Sequence, residues 1–320
     1  MLLRICSLKK RRLRPADSGI SAMLALLICL VCAIICPPAG ASSPEVQFDG
    51  DRAFALLRRQ CSFGPRSPGS DGHARCFDWI TSTCRQLDLE TTHQSFLAYV
   101  PLMNKTVRLK NIVAIRQRRN PRKVMLSAHW DTRPVADWEG DPARRRQPIL
   151  GANDGASGVA VLLELARVLR QQPLDVGLIF VFFDGEDCGE RGNESFCLGS
   201  QYMAEHLPWA WQFEKGINLD MVGDRDLSIP IEGYSWDQAR TLAIVFWEQA
   251  AKFYPRAFRT EVGQKIFDDH LPFLNRGKPF IDVIDFDYPY WHTLGDTEDK
   301  CSPRSLEQVG RAVERFVLSQ

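Results

Sequence analysis

Four acidic or imidazole side chains stand at the ends of apolar, strand-like runs in this sequence. They are His129, Glu186, Asp187 and Asp220. Carboxylate oxygens and imidazole nitrogens are the ligands of catalytic zinc sites, which keep one coordination position open for the substrate. Binding sites of parallel sheets lie at the carboxyl ends of the strands, so these side chains can converge although they are far apart in the sequence.

Two further segments carry the same chemistry. Asp154 lies in a glycine-rich turn, and His292 follows Trp291 near the C-terminus. Asp131, close behind His129, fits a carboxylate that fixes the tautomer of a histidine ligand. Each segment alone also has an ordinary interpretation, namely a surface ion pair, a turn, the start of a solvated loop or a core aromatic residue. Their combination at strand ends favours a metal site.

The elements that must position these side chains alternate between strands and helices. Residues 176–183 are apolar throughout, which is typical of a strand buried on both faces, whereas residues 155–170 have apolar side chains at helical spacing. We predict further strands at 110–116, 123–129, 217–222 and 279–284, and helices between 49 and 87, at 235–253 and at 305–318. This alternation predicts an α/β fold, a three-layer sandwich with a central mixed, mostly parallel sheet.

Composition is that of an ordinary globular protein. Of the 320 residues, 45% are hydrophobic and 25% are charged. Forty basic residues face thirty-nine acidic ones, and the net charge of +1 gives no electrostatic argument for a nucleic-acid partner.

The N-terminal segment is typical of an export signal. Basic residues between Arg4 and Arg14 precede an apolar run at 20–35, which is shorter than the roughly 20 residues of a membrane span. The ending Ala39-x-Ala41 matches a signal peptidase site. We therefore predict a cleaved signal peptide at 1–41, or alternatively a retained membrane anchor, and a single domain at 42–320. The protein would be exported to the periplasm or secreted, with membrane contact only if the segment is retained.

Six cysteines follow this segment. They are Cys61, Cys76, Cys84, Cys188, Cys197 and Cys301. An even number in an exported chain permits disulfides, and a bond between Cys188 and Cys197 would close the shortest loop. Six reduced, buried thiols are the alternative, and both possibilities stay open at this point.

Longer stretches around the candidate site carry a family resemblance. They are residues 129–134, 149–159, 197–202, 268–270 and 291–293. These stretches resemble the zinc aminopeptidase and glutaminyl cyclase superfamily and, within it, the animal-type (type II) glutaminyl cyclases of bacteria. The resemblance extends from about Val46 to the C-terminus and implies a phosphorylase/hydrolase-like zinc exopeptidase fold.

Carried over residue by residue, the resemblance implies a site with one zinc ion per chain. The implied ligands are Asp154, Asp187 and His292. His129 and Asp220 are candidates for a second site, since His129 matches a position that binds a second metal in the aminopeptidases but not in the cyclases.

The resemblance also implies the catalytic groups. Glu186 matches the acid/base carboxylate of the cyclases, and Asp220 and Asp268 match two carboxylates that bridge to it by hydrogen bonds. Trp291 matches the aromatic wall that contacts the substrate side chain.

The sequence departs from the family at two places. Asp187 stands where the animal enzymes usually have Glu. The loop that carries a tryptophan in those enzymes has Gly189, Arg191 and Gly192 here. We therefore expect part of the pocket wall to come from elsewhere, with Trp130, Trp138 and Tyr288 as candidates.

The resemblance implies a glutaminyl-peptide cyclotransferase. Such an enzyme converts the N-terminal glutamine of peptides or proteins to pyroglutamate and releases ammonia. A two-zinc aminopeptidase of the same fold is the alternative, because all its ligand types are present. A non-catalytic ectodomain is a weaker alternative, since such relatives usually lose a metal ligand and this chain keeps all three.

Overall fold

The computed structural model describes residues 47–190 and 195–320, all of which belong to the unit Val46–Gln320. The helices are α1 Gly50–Cys61, α2 Asp71–Gln86, α3 Ala156–Leu169, α4 Leu198–Glu205, α5 Gly233–Gln238, α6 Arg240–Phe253, α7 Leu271–Leu274 and α8 Pro303–Leu318. The strands are β1 Glu90–Val100, β2 Lys105–Arg116, β3 Lys123–His129, β4 Gly177–Phe183, β5 Lys215–Asp220, β6 Ile229–Ile231, β7 Phe258–Val262 and β8 Phe280–Ile284. The predicted signal at 1–41 lies outside the described residues.

The central sheet has six strands in the order β1-β2-β4-β3-β5-β8. Strands β4, β3, β5 and β8 run parallel, while β1 and β2 are added antiparallel at one edge. Strands β6 and β7 form a separate parallel pair. The predicted α/β fold with a mixed, mostly parallel sheet is confirmed.

The centre of the sheet is covered on both faces, because every residue of β3 and β4 is buried. This explains why these strands read as continuous apolar runs and not as alternating patterns. Helix α3 is buried along almost its whole length and packs against β3, α1 and α8. β3 and β4 therefore lie in the core, and their carboxyl ends set the starting points of the following loops.

The structure differs from the sequence-based elements in one helix and in elements that the sequence did not indicate, namely β1, β6, β7, α4 and α7. Strand β1 was not predicted, because it is an edge strand whose side chains are mostly exposed or half-buried and polar. The helix expected at 235–253 is two helices, which meet at Ala239 (φ −128°, ψ 33°). Within the described residues, no helix combines the length and apolarity needed to cross a membrane.

All six cysteines of the described residues are buried, free thiols. The pairing of Cys188 with Cys197 is therefore not formed. Burial raises the pKa of Cys61, Cys76 and Cys84 to about 12, so these thiols stay protonated.

Candidate metal centre and active site

The predicted convergence at the carboxyl edge of the sheet is observed. Strands β3 and β5 end at His129 and Asp220, and His129 pairs in register with Phe183, the last residue of β4. Glu186 and Asp187 follow β4 in a short 3-10 turn. The four side chains named from strand ends therefore lie around one point, although their roles stay predictions.

A group of three potential ligands forms the centre of the site. Asp154, Asp187 and His292 each offer an atom within 4.8 Å of the others, and all three are buried. His292 Nε2 lies 3.0 Å from Asp187 Oδ1 and 3.9 Å from Asp154 Oδ2. The Oδ2 atoms of Asp154 and Asp187 have no hydrogen-bond partner. Buried carboxylate oxygens without partners facing an imidazole fit a divalent cation, and this donor set suits zinc.

The glycine-rich turn shapes the loop that carries Asp154. Gly155 has a φ of +102°, and a Cβ atom there would lie 2.7 Å from the ring of His129. The carboxylate of Asp296 accepts hydrogen bonds from the main-chain N–H groups of Asn153 (2.8 Å) and Asp154 (3.1 Å). The turn thus brings Asp154 against His129 because only glycine permits the close approach.

His129 lies behind the ligand group. Its Nε2 is 3.1 Å from both Asp154 Oδ1 and Asp220 Oδ1, and its Nδ1 is 3.5 Å from Asp131 Oδ1. Burial would lower the pKa of His129, but the charge of Asp220 and hydrogen bonds to the three carboxylates raise it well above its usual value. His129, Asp154 and Asp220 form a second group with ligand geometry.

Adjacent residues Glu186 and Asp187 face different surroundings. Asp187 points to His292, whereas Glu186 lies beside Cys197, whose thiol is 3.4 Å from Glu186 Oε1, and groups with Asp268. Burial and the charges of Asp187 and Asp268 raise the pKa of Glu186 well above its usual value, although His129 opposes this. Burial would also raise the pKa of Asp187, but His292 and a neighbouring arginine lower it.

Asp220 makes a different contact from the expected one. The resemblance implied a hydrogen bond from Asp220 to Glu186, whereas Asp220 lies against His129 at 3.1 Å. Both Asp220 and Asp268 do line the same cavity as Glu186. The three carboxylates therefore line one cavity, but Asp220 contacts His129 Nε2, which is equally close to Asp154 Oδ1, instead of Glu186.

The site opens into a cavity of about 360 Å³ whose wall combines the site carboxylates, His292 and Lys265 with six apolar side chains. The apolar lining residues are Phe196, Ile266, Phe267, Ile284, Phe286 and Trp291. Trp291 stacks on His292 with ring centroids 3.7 Å apart, and Phe286 packs against it at 5.1 Å. Trp291 therefore contacts a member of the ligand group and forms part of the cavity wall.

The three residues proposed to complete the wall do not line the cavity. Trp130 is fully buried and stacks on His73 at 4.2 Å, and Tyr288 is buried and donates a hydrogen bond to Asp296. Trp138 packs against Trp291 at 5.1 Å but is not part of the lining.

Phe196 supplies the missing wall instead. A Cβ atom at Gly189 would lie 2.0 Å from the ring of Phe196, so the glycine makes room for this ring. The sequence showed at Gly189 that a bulky side chain is missing from this loop. It did not show that Phe196, seven residues further along the chain, occupies that space. Arg191 and Gly192, from the same loop, fall outside the described residues.

Known proteins that are similar in sequence and fold include glutaminyl cyclases and aminopeptidases. The glutaminyl-peptide cyclotransferase of Drosophila melanogaster is 28% identical over 284 residues, covering 79% of this chain and 77% of that protein. Porphyromonas gingivalis glutaminyl cyclase superposes with a TM-score of 0.81 at 37% identity, over 84% of this chain and 97% of that chain. A leucine aminopeptidase precursor from Bacteroides thetaiotaomicron superposes with a TM-score of 0.82 at 35% identity, over 86% and 98%.

These similarities extend over most of the chain. They confirm the zinc exopeptidase fold that the resemblance implied. Residues 111–317 match the family model of peptidase family M28, and the chain therefore belongs to peptidase family M28.

Proposed function

We propose that this protein is a zinc-dependent glutaminyl-peptide cyclotransferase. It would act on peptides or proteins with an N-terminal glutamine, form pyroglutamate and release ammonia. The observation that carries the proposal is the different surroundings of two adjacent carboxylates that line one cavity: Asp187 lies against His292 in the ligand group, while Glu186 lies beside Cys197 and Asp268 and is protonated more readily. The cyclase-named relatives support the same assignment.

Asp154, Asp187 and His292 would hold one zinc ion, which when bound acts as a Lewis acid on the γ-carbonyl of the substrate. In the reaction the α-amino nitrogen bonds to the γ-carbon of the same glutamine, and the bond from that carbon to the amide nitrogen breaks. Glu186 would take the proton from the α-amine and deliver it to the departing nitrogen, which leaves as ammonia.

The neighbouring carboxylates support this role of Glu186. Burial and the charge of Asp220 raise the pKa of Asp268 to about 6, so Asp268 holds a proton more readily than an exposed aspartate. A cluster of carboxylates that share protons can accept one and return it within a single turnover. Trp291 would hold the glutamine side chain in the conformation that closes the five-membered ring, which reduces the entropy cost of cyclisation.

A two-metal aminopeptidase is the second candidate. It is favoured by one observation, namely that His129, Asp154 and Asp220 form another buried group with ligand geometry. A metal at this second group would activate water for hydrolysis of a peptide bond.

One assay separates these functions. The mature protein is incubated with a dipeptide that begins with glutamine, and both ammonia and free amino acids are measured, together with the zinc content after dialysis. A cyclase releases ammonia without free amino acids and retains one zinc per chain. Two zinc ions with amino-acid release would establish the peptidase, and release of neither product would refute both candidates.

We also propose that residues 1–41 are a cleaved export signal and that 42–320 form the enzyme domain. The basic stretch, the short apolar run and Ala39-x-Ala41 support this. N-terminal sequencing of the protein from its host should show a chain that begins near Ser42, whereas a start at Met1 in a membrane fraction would favour the anchor.

A further inference from the structure

An ion pair behind the ligand group links two of its members. Arg133 and Asp137 follow β3, and their side chains form a bidentate pair with Nε–Oδ1 and Nη2–Oδ2 distances of 2.7 and 2.8 Å. The Arg133 side chain is 1% exposed and that of Asp137 is 34% exposed. Bidentate pairs of this kind have a fixed geometry, so the position of one partner determines that of the other.

Arg133 also holds Asp187. Its Nη1 donates to Asp187 Oδ1 (3.2 Å), to the main-chain oxygen of Asp187 (3.3 Å) and to that of Gly189 (3.1 Å). Asp187 Oδ2 has no partner. Arg133 therefore binds Asp187 Oδ1, the same oxygen that lies 3.0 Å from His292 Nε2, and fixes the rotamer in which the carboxylate faces His292.

Asp137 contacts the second ligand, His292, at an ion-pair distance longer than its hydrogen bonds to Arg133. Its Oδ1 lies 3.4 Å from Nδ1 of His292, and Nε2 on the opposite side of that ring faces Asp187. The main-chain N–H of Trp138 donates to the carbonyl oxygen of His292 at 3.2 Å. A carboxylate on the outer nitrogen of a histidine ligand fixes its tautomer and orients the ring toward the metal.

We propose that Arg133 and Asp137 act together as one positioning unit for Asp187 and His292. The inference rests on the metal site of the proposed function and concerns only how this chain prepares it. The guanidinium is needed because it must reach Asp187 and Asp137 at once in fixed directions, and the single ammonium of a lysine lacks that fork. Asp137 in turn transmits the position of Arg133 to His292.

The test measures zinc affinity of the full mature protein by competition with a chelator, without any substrate. Asp137→Asn and Arg133→Lys should each raise the zinc dissociation constant on the order of 10- to 100-fold. The double variant should cost less than the product of the two single effects, because both substitutions interrupt one chain of contacts. Arg167→Lys is the matched control, since Arg167 pairs with buried Glu164 on α3 and contacts none of the ligands, and it should leave zinc affinity unchanged.

Zinc affinities within twofold of wild type for both variants would overturn the inference, and so would fully multiplicative effects in the double variant. If Arg133→Lys fails to fold, Asp137→Asn decides alone, because its side chain is partly exposed and the near-UV circular dichroism spectrum reports its fold. A wild type that binds no zinc would overturn both this inference and the proposed function. A wild type that retains zinc but releases no ammonia would refute the cyclase alone and leave the positioning unit in place.

Discussion

The two sides of the cavity handle negative charge in opposite ways. On one side, which we call the ligand side, Asp187 and Asp137 share the guanidinium of Arg133. On the other, the carboxylate side, Glu186 and Asp268 line the cavity, and the buried Asp269 lies next to Asp268. Within the described part of the chain, no lysine or arginine forms an ion pair with these three.

The consequence is visible in the proton affinities of the two sides. Burial and the charge of Asp268 raise the pKa of Asp269 well above its usual value, as happens for Glu186, whereas His292 and Arg133 lower that of Asp187 against the effect of burial. The same residue type can therefore hold a cation or carry a proton, and the neighbouring charge decides which. Sequence adjacency of Glu186 and Asp187 does not imply a shared role.

The largest expected effect comes from exchanging the two adjacent carboxylates for amides. Glu186→Gln keeps the shape of the side chain but cannot accept the proton, so kcat should fall on the order of 10²–10⁴ while zinc content stays at the wild-type level. KM should change far less, because the lost interaction belongs to the transition state. Steady-state kinetics with a glutamine-initiated peptide and metal analysis measure both quantities.

Asp187→Asn is the matched variant on the ligand side. It should lose zinc affinity first, with activity falling as a consequence and returning in part at high zinc concentration. The opposite pattern, in which Glu186→Gln loses zinc and Asp187→Asn keeps zinc but is inactive, would show that the two sides have been assigned in reverse.

We expect a smaller effect, on stability, from a buried carboxylate that lies away from the ligand group, Asp285. Burial raises the pKa of Asp285 to about 7, and its contact is the main-chain N–H of Ser228 at 2.8 Å. Below pH 3.8 this carboxyl is neutral in the folded and unfolded chain, and as pH rises toward 7 only the unfolded chain ionises, so stability is lost. The asparagine in Asp285→Asn does not titrate. The free energy of unfolding of this variant relative to wild type should therefore rise by about 2 kcal/mol as the pH increases from 5 to 7. Chemical denaturation at the two pH values measures this gain.

Glu232 provides the contrasting control. Burial would raise its pKa, but a 3.0 Å hydrogen bond with His270 and main-chain donors lower it to about 2. Its contribution to stability is present above pH 4.5 and is lost as pH falls toward 2, so Glu232→Gln should destabilise the protein at pH 5 and at pH 7. If Asp285→Asn also lost stability at both pH values, the two carboxylates would behave alike. The contact of Glu232 with His270 would then not explain a difference between them.

The predictable parts of the site are those whose neighbouring residues form a recognisable sequence pattern. His129 and Asp220 end apolar runs, and the glycine-rich turn identifies Asp154, because burial in a parallel sheet and a tight turn both leave a local pattern. Strand β1 has no such sequence pattern, since an edge strand needs apolar residues on only part of one face. The break at Ala239 also lacks a glycine or proline signal.

Contacts between distant residues could not be predicted in this way. Arg133 belongs to a stretch that drew attention in the sequence, yet its partner Asp187 lies 54 residues further along the chain. Phe196 enters the cavity because Gly189 has no side chain, and the sequence revealed only the missing side chain. Trp130 and Tyr288 were assigned to the wall on residue type alone, whereas packing and a hydrogen bond hold them in the interior.

The six buried thiols provide a way to measure local unfolding of the folded protein. A thiolate is the form that alkylating reagents attack, and burial keeps the thiols of Cys61, Cys76 and Cys84 both protonated and covered. Labelling at each cysteine therefore requires the surrounding element to open, and its rate measures the free energy of that local fluctuation. Cys84 samples helix α2, Cys188 the turn behind the ligand side and Cys301 the start of α8, so mass spectrometry of labelled peptides resolves stability region by region.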